Sequence, residues 1–157
     1  MVINDDGVLG PKYIDNTLAC DYYRICVATT GVLSVLGASG HITSIKLNDQ
    51  VICDGENMLL VFAPGDQSDS ISKTIKQGLT EYLDLLLVTV DNRIVLATKD
   101  WRVPSSIDYA HLFTTHGTYR FHVVVTAPTI RAAQIDVDLK WAGDHKTAEM
   151  VCHAPDT

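Results

Sequence analysis

The side chains best suited to recognition gather in one segment of the chain, residues 99–116. It contains Trp101, Tyr109, His111 and Phe113, and it is the longest stretch without a strand pattern. Aromatic rings combine a large apolar surface with a polar edge, which suits stacking on a sugar or anchoring a partner protein. We therefore predict a binding site from these four residues. The alternative is that the rings cap an open end of the core.

The histidines do not have the spacing of a metal site. Six are present, and neither an HxH nor an HExxH pattern occurs among them. Asp108, His111 and His116 lie close enough in sequence to be weighed as a ligand set, but a histidine in a loop is usually solvated. We predict no metal and no cofactor.

Paired carboxylates occur at Asp136 and Asp138, two residues apart on one predicted strand. A catalytic pair needs a cleft that shifts the pKa of one member, and the sequence indicates none. We expect instead a solvated strand face that discourages edge-to-edge aggregation. The nucleophile motif GxSxG is also absent. No catalytic residue is predicted, and the sequence favours a protein that is not an enzyme.

The charge balance restricts the partners. The chain has 19 acidic and 12 basic residues and a net charge of -7. Nucleic-acid binding needs clustered lysine and arginine, which are scattered here, so no nucleic-acid partner is predicted. No apolar run reaches the roughly 18 residues of a membrane helix, and the first residues do not read as a signal peptide. We expect no membrane insertion and a cytoplasmic location, or an origin as an excised domain of a longer protein.

The elements that must position the 99–116 segment read as strands. In 134–141, Ile135, Val137, Leu139 and Trp141 alternate with polar residues, so one face meets a core and the other meets water. Further strands are predicted at 21–29, 41–47, 51–53, 58–63, 70–75, 82–90, 94–98, 118–126 and 146–152.

Three segments have weaker or mixed signals. The run 82–90 is apolar almost throughout, which fits a strand buried on both faces or a helix, and its β-branched end favours the strand. Residues 1–18 show no period and are predicted to be an irregular N-terminal segment with one short edge strand near Tyr13. A helical turn fits 107–112, and Asp54-Gly55 is a strong hairpin dipeptide.

The four cysteines, Cys20, Cys26, Cys53 and Cys152, form no CxxC pair. Buried, reduced thiols are the expected state, because free cysteine behaves as a small apolar residue.

About seven to nine short strands with turn signals and no amphipathic helix indicate an all-β domain, an antiparallel two-sheet sandwich. We assign one such domain to residues 1–157.

Several segments carry a family resemblance. Five segments together resemble the immunoglobulin-like accessory domains of uncharacterised microbial proteins. They are DYYRICVATTG, GHITSI, GLTEYLDLLLV, HGTYRFHVVVT and IDVDLKWAGD. Ser39 stands where such domains often have a cysteine. The resemblance implies an immunoglobulin-like sandwich and transfers no catalytic residue.

These observations lead to two functional hypotheses. The first is a non-enzymatic module that contacts another protein or a second copy of itself. The alternative is a domain that binds a small ligand or a carbohydrate through the aromatic residues of 99–116.

Overall fold

Eleven strands make up the part of the chain that the computed structural model describes, residues 2–14, 19–29, 31, 33–62, 71–98 and 109–155. They are β1 (Val2–Ile14), β2 (Ala19–Ala28), β3 (Val35–Leu47), β4 (Gln50–Leu59), β5 (Val61–Phe62), β6 (Lys73–Ile75), β7 (Thr80–Thr89), β8 (Ile94–Leu96), β9 (Gly117–Ala127), β10 (Ile130–Trp141) and β11 (Glu149–His153). One short 3₁₀ helix, Ala110–Phe113, precedes β9. Over these residues no helix has the length and apolar character to cross a membrane.

The strands form two antiparallel sheets, as predicted. The first sheet has the order β1-β2-β7-β5, with β8 also paired to β7. The second sheet has the order β11-β10-β9-β3-β4, with β6 paired to β3. The all-β, two-sheet sandwich is therefore confirmed. The strand number exceeds the expected seven to nine. Three of the strands, β5, β6 and β8, have only two or three residues each and lie within the predicted segments 58–63, 70–75 and 94–98.

The core lies between the sheets and follows the alternation that the sequence shows. Phe121 and Val123 of β9 and Val137 and Leu139 of β10 are fully buried in one continuous cluster. They face Ile25 and other apolar residues of the first sheet within that cluster. Burying such a side chain contributes roughly 1.5–3 kcal/mol, so this shared face holds the sheets together.

The apolar run 82–90 is a strand, β7, and it is buried on both faces. Every residue from Leu83 to Thr89 is buried. Leu85 and Leu86 belong to the main core, whereas Leu87 belongs to a separate cluster with Tyr22, Val95 and Ala97 on the other side of the first sheet. Burial on both faces explains why the run lacks polar alternation.

Two predictions about local structure are wrong. Residues 2–14 form the long strand β1 rather than an irregular segment, although the edge strand predicted near Tyr13 lies within it, at the end of the first sheet. The pairing of β1 with β2 shifts register between Asn4 and Val8 and again between Leu9 and Lys12. Asp54-Gly55 lies within β4 and makes no hairpin: Asp54 pairs with Ser44 and Met58 with Ile42, so the intervening residues bulge.

The remaining local predictions fare better. The 3₁₀ helix at Ala110–Phe113 overlaps the expected helical turn, of which residues 107 and 108 lie outside the described chain. Cys26 and Cys152 are buried, as expected, whereas Cys53 is half-buried.

Candidate ligand-binding site

A rigid turn between β7 and β8 forms one wall of the candidate site. The backbone amide of Arg93 donates to the hydroxyl of Thr89 at 3.0 Å, and the amide of Thr89 donates to the carbonyl of Arg93 at 2.9 Å. Asn92 takes a left-handed conformation with φ of 65°, which asparagine adopts more readily than most residues. The hydroxyl of Thr89 also donates to Asp91, and this bond lowers the pKa of the Asp91 carboxyl below its usual value, with further help from Arg93.

Asn92 fastens this turn to the connection between β10 and β11. Its Oδ1 accepts hydrogen bonds from the backbone amide of His145 and from Nδ1 of the same residue, both at 2.9 Å. The two bonds bring together residues 53 positions apart and join a turn of the first sheet to a turn of the second. The sandwich is thus closed at this end, which we call the loop end, by residues 90–93 and 142–148.

The 3₁₀ helix forms a second wall. Tyr109 begins it in a left-handed conformation with φ of 58°, and the amide of Leu112 donates to the Tyr109 carbonyl at 3.0 Å. Phe113 is buried and anchors the helix, because its ring packs edge-on against Tyr119 at 5.1 Å between centroids and lies 5.9 Å from Phe121. His111 is exposed on the same helix.

Gly143 makes room for a histidine at the rim. Its φ is +82°, and a Cβ at this position would lie 2.5 Å from Nε2 and 3.0 Å from Cε1 of His116. Because Gly143 has no side chain, the His116 imidazole can pack against the β10–β11 turn. His116 itself is exposed.

A pocket of about 530 Å³ opens between these walls. Its volume lies within the range of roughly 300–1,000 Å³ typical of small-molecule sites. It is lined by Asn92, Arg93, Ile94, Ala110, His111, Phe113, Thr114, His116, Trp141 and Gly143. Apolar surface from Ile94, Phe113 and Trp141 thus meets polar side chains from two separate segments of the chain, residues 92–93 and 111–116.

The four residues predicted from sequence have different positions. His111 and Phe113 line the pocket. Tyr109 is half-buried and packs against the core at the start of the helix. Trp101 lies outside the described residues. The sequence did not predict five further lining residues, which are Asn92, Arg93, His116, Trp141 and Gly143. The one available signal was the Asp91-Asn92 turn dipeptide, in which Asn92 has a positive φ.

A second polar cluster lies on the outer face of the second sheet, and it corrects the expectation that Asp136 and Asp138 are solvated. Asp136 is only 5 % exposed, and its Oδ1 lies 2.7 Å from Nδ1 of His122 on β9. Asp138 accepts two hydrogen bonds from Arg120, at 2.8 and 3.0 Å, and its Oδ2 lies 3.2 Å from Nε2 of His153. Cross-strand partners thus cover both carboxylates.

Burial alone would raise the pKa of Asp138. The hydrogen bonds and positive charge of Arg120 outweigh this effect, with a smaller contribution from His153, and hold the pKa below its ordinary value. The carboxylate of Asp138 is therefore bound into an ion-pair cluster, which is a structural role.

Neither polar region is arranged as a metal site. Within the described ranges, no three histidine, cysteine or carboxylate side chains lie close enough together to hold a metal ion. Asp108, one of the three residues weighed as ligands, is not among the described residues, and His111 and His116 reach the pocket without it.

The chain matches no family model, no curated protein and no solved structure, and its resemblance to immunoglobulin-like accessory domains stays a prediction.

Proposed function

We propose that this protein is a non-enzymatic binding domain that holds a small molecule in the loop-end pocket. The observation that carries the proposal is the pocket itself, in which an apolar floor meets polar side chains from two segments of the chain. A well-formed concave site with a few convergent polar groups is the arrangement by which small ligands are usually bound. An immunoglobulin-like sandwich, which we include in the proposal, commonly uses its end loops for recognition.

The binding role of the predicted residues becomes more specific in this proposal. Phe113 is fixed in the core, so it supplies a rigid wall rather than an open stacking platform. His111 and His116 are exposed at the rim and supply hydrogen bonds. A carbohydrate fits such a site if its apolar face lies against Trp141 and its hydroxyls meet the polar rim.

The test begins with a nuclear magnetic resonance screen of sugars and small metabolites, in which the indole N–H of Trp141 reports occupancy. Arg93→Ala, His111→Ala and His116→Ala should each weaken a bound compound by about tenfold, the value of one hydrogen bond to a charged or polar ligand. Arg131→Ala is the matched control, because Arg131 is exposed on β10 and does not line the pocket. A compound whose affinity is the same in all four variants does not bind here, and the proposal fails if every compound behaves so.

A second candidate function, contact with another copy of this chain, is favoured by a different surface. Leu33, Leu36 and Leu79 are 76 %, 68 % and 54 % exposed. They lie near one another, because Val35 pairs with Ile75 and the amide of Gln77 donates to Ser34 Oγ. Two-fold self-association would bury such an apolar patch against its own equivalent.

Sedimentation equilibrium tests this second candidate. The protein should form a dimer whose dissociation constant rises in the variant Leu33→Ser/Leu36→Ser, whereas Val51→Ser, on the exposed side of β4, should leave it unchanged. A strictly monomeric protein at high concentration would exclude self-association.

A further inference from the structure

We infer that the ligand of the loop-end pocket is a small organic acid, a molecule in which a carboxylate or phosphate group is attached to an apolar body. This inference rests on the proposed function and adds the chemical class of the ligand. It is carried by the side chains around the pocket, which offer hydrogen-bond donors and one permanent positive charge, and by the absence of any carboxylate among the described lining residues.

The orientation of Asn92 determines what it offers. A backbone N–H can only donate, so the Asn92 atom that lies 2.9 Å from the His145 amide must be the carbonyl oxygen Oδ1. The same oxygen also receives Nδ1 of His145. Since both bonds use the oxygen, the Asn92 group left for a ligand is Nδ2, which has two N–H donors and no acceptor.

Arg93 supplies the permanent charge. Its Nε donates to Oδ2 of Asp91 at 3.0 Å, and within the described chain the two terminal nitrogens make no contact of their own. The guanidinium keeps the planar pair of N–H groups that binds carboxylate or phosphate in a bidentate manner. Arg93 lines the pocket, and its bond to Asp91 of the same turn orients the guanidinium there.

Two acidic residues of the neighbouring turns, Asp91 and Asp144, do not line the pocket and are engaged elsewhere. Asp91 accepts from Thr89 and pairs with Arg93, and Asp144 accepts from the amide of Lys146 at 3.0 Å. Among the described residues, the pocket lining includes one arginine, two histidines and no carboxylate, although the chain as a whole has 19 acidic against 12 basic residues. Hydrogen-bond donors together with the Arg93 guanidinium, whose Nε is paired with Asp91, complement an anion.

The rest of the lining sets the size and character of the ligand. Ile94, Phe113 and Trp141 contribute apolar surface, and the pocket is several times larger than an inorganic anion requires. An organic acid satisfies both parts of the site, because its acid group meets Arg93 and Asn92 while its body lies against the apolar residues.

Isosteric pairs test the charge directly. Benzoate and benzamide have nearly the same shape but differ in charge, and phenyl phosphate distinguishes a phosphate site from a carboxylate site. Titrated into the intact protein and followed at the Trp141 indole N–H, benzoate or phenyl phosphate should bind at least tenfold more tightly than benzamide. Whichever acid binds more tightly identifies the acid group that the site prefers.

Two variants test whether Asn92 and Arg93 cause the preference for acids. Asn92→Asp keeps an oxygen for both His145 bonds but replaces the donor group by a negative charge, so the acids should lose at least tenfold in affinity while the melting temperature stays the same. Arg93→Gln should remove the preference for acid over amide, and Arg131→Gln should not.

The outcomes separate this inference from the proposed function. Equal affinity of acid and amide, or full retention of acid binding in Asn92→Asp, overturns the inference and leaves a binding pocket for neutral ligands. If the acids do not shift the Trp141 resonance, the inference is wrong. The proposed function fails as well if neutral sugars and benzamide also leave that resonance unmoved.

Discussion

Arg24 and Asp84 form a buried ion pair within the first sheet, and removing Arg24 alone should destabilise the protein strongly. Arg24 Nε lies 2.6 Å from Asp84 Oδ1, and the two residues stand opposite each other on β2 and β7. The Asp84 side chain is 3 % exposed and that of Arg24 is 15 % exposed. Arg24 also lies over the ring of Tyr22, 5.1 Å from its centroid. The guanidinium therefore compensates a carboxylate that water barely reaches.

The size of the effect follows from this burial. Arg24→Met keeps an apolar chain of similar length but removes the charged hydrogen bond that Arg24 Nε donates to the Asp84 carboxylate. Breaking one side of a buried pair costs about 3–5 kcal/mol, since the remaining charge stays desolvated. A single-domain protein has a total stability of roughly 5–15 kcal/mol, so the variant should lose a large share of it. Replacing both partners, as in Arg24→Met/Asp84→Leu, should cost less than the single change, because apolar residues can fill the same volume.

Urea denaturation, followed by tryptophan fluorescence and circular dichroism, measures these differences. The slopes of the transitions should agree among variants, so that changes in midpoint report stability. Arg131→Met is the matched control, because Arg131 is exposed and its replacement should change stability by no more than about 0.5 kcal/mol. A loss below about 1 kcal/mol for Arg24→Met, the value of a surface pair, would show that the carboxylate is solvated. A double variant as unstable as the single one would refute the role of uncompensated charge.

Three further predictions concern the core and the pH dependence of stability. Gly40→Ala places a Cβ 2.3 Å from Cδ2 of Leu83 and should lower the free energy of unfolding by about 1–3 kcal/mol in urea, whereas an unchanged midpoint would show that Leu83 moves aside without cost. The pKa of Asp138 is lowered in the folded protein, so this carboxylate contributes fully to stability above the unfolded-state pKa of ~3.9, and the contribution is lost as the pH falls through the folded-state pKa. Asp138→Asn should therefore reduce the loss of stability at acid pH. An unchanged acid limb of the stability–pH curve would contradict this. Burial lowers the pKa of His41 in the folded protein, so as the pH falls the unfolded chain protonates this imidazole first. The free energy of unfolding should therefore decrease from pH ~6.5 down to the folded-state pKa. His41→Gln should remove this pH dependence, and an unchanged dependence would assign it to other groups.

The sequence predicts well those strands in which burial produces a regular order of apolar and polar residues. In β10, one face meets the core and the other does not, so apolar residues recur at Ile135, Val137 and Leu139. In β7, both faces are buried, and the pattern becomes continuous. The alternating pattern identifies a strand without knowledge of its partners, because the two-residue period belongs to the backbone itself. The continuous run of β7 also fits a helix, and only its β-branched end favours the strand.

The strands that sequence misses are those in which the pairing is irregular. β1 changes register twice against β2, so its pairing follows no single regular register. Asp54-Gly55 has the composition of a hairpin but is accommodated as a bulge in β4 opposite Thr43. Both cases depend on a partner strand, which local propensity does not include.

The polar sites were missed for a related reason, although part of the signal was present. In an antiparallel pair joined by a tight connection, residues whose numbers have the same sum stand opposite each other. Arg120 with Asp138 and His122 with Asp136 satisfy this rule across β9 and β10, so complementary charges at mirrored positions already indicated that the carboxylates are covered. The pocket had no such signal, because Asn92 meets His145 across two sheets and through no strand pairing. Cross-strand polar pairs can therefore be read from two adjacent strands, whereas a site closed by turns of different sheets requires the whole topology.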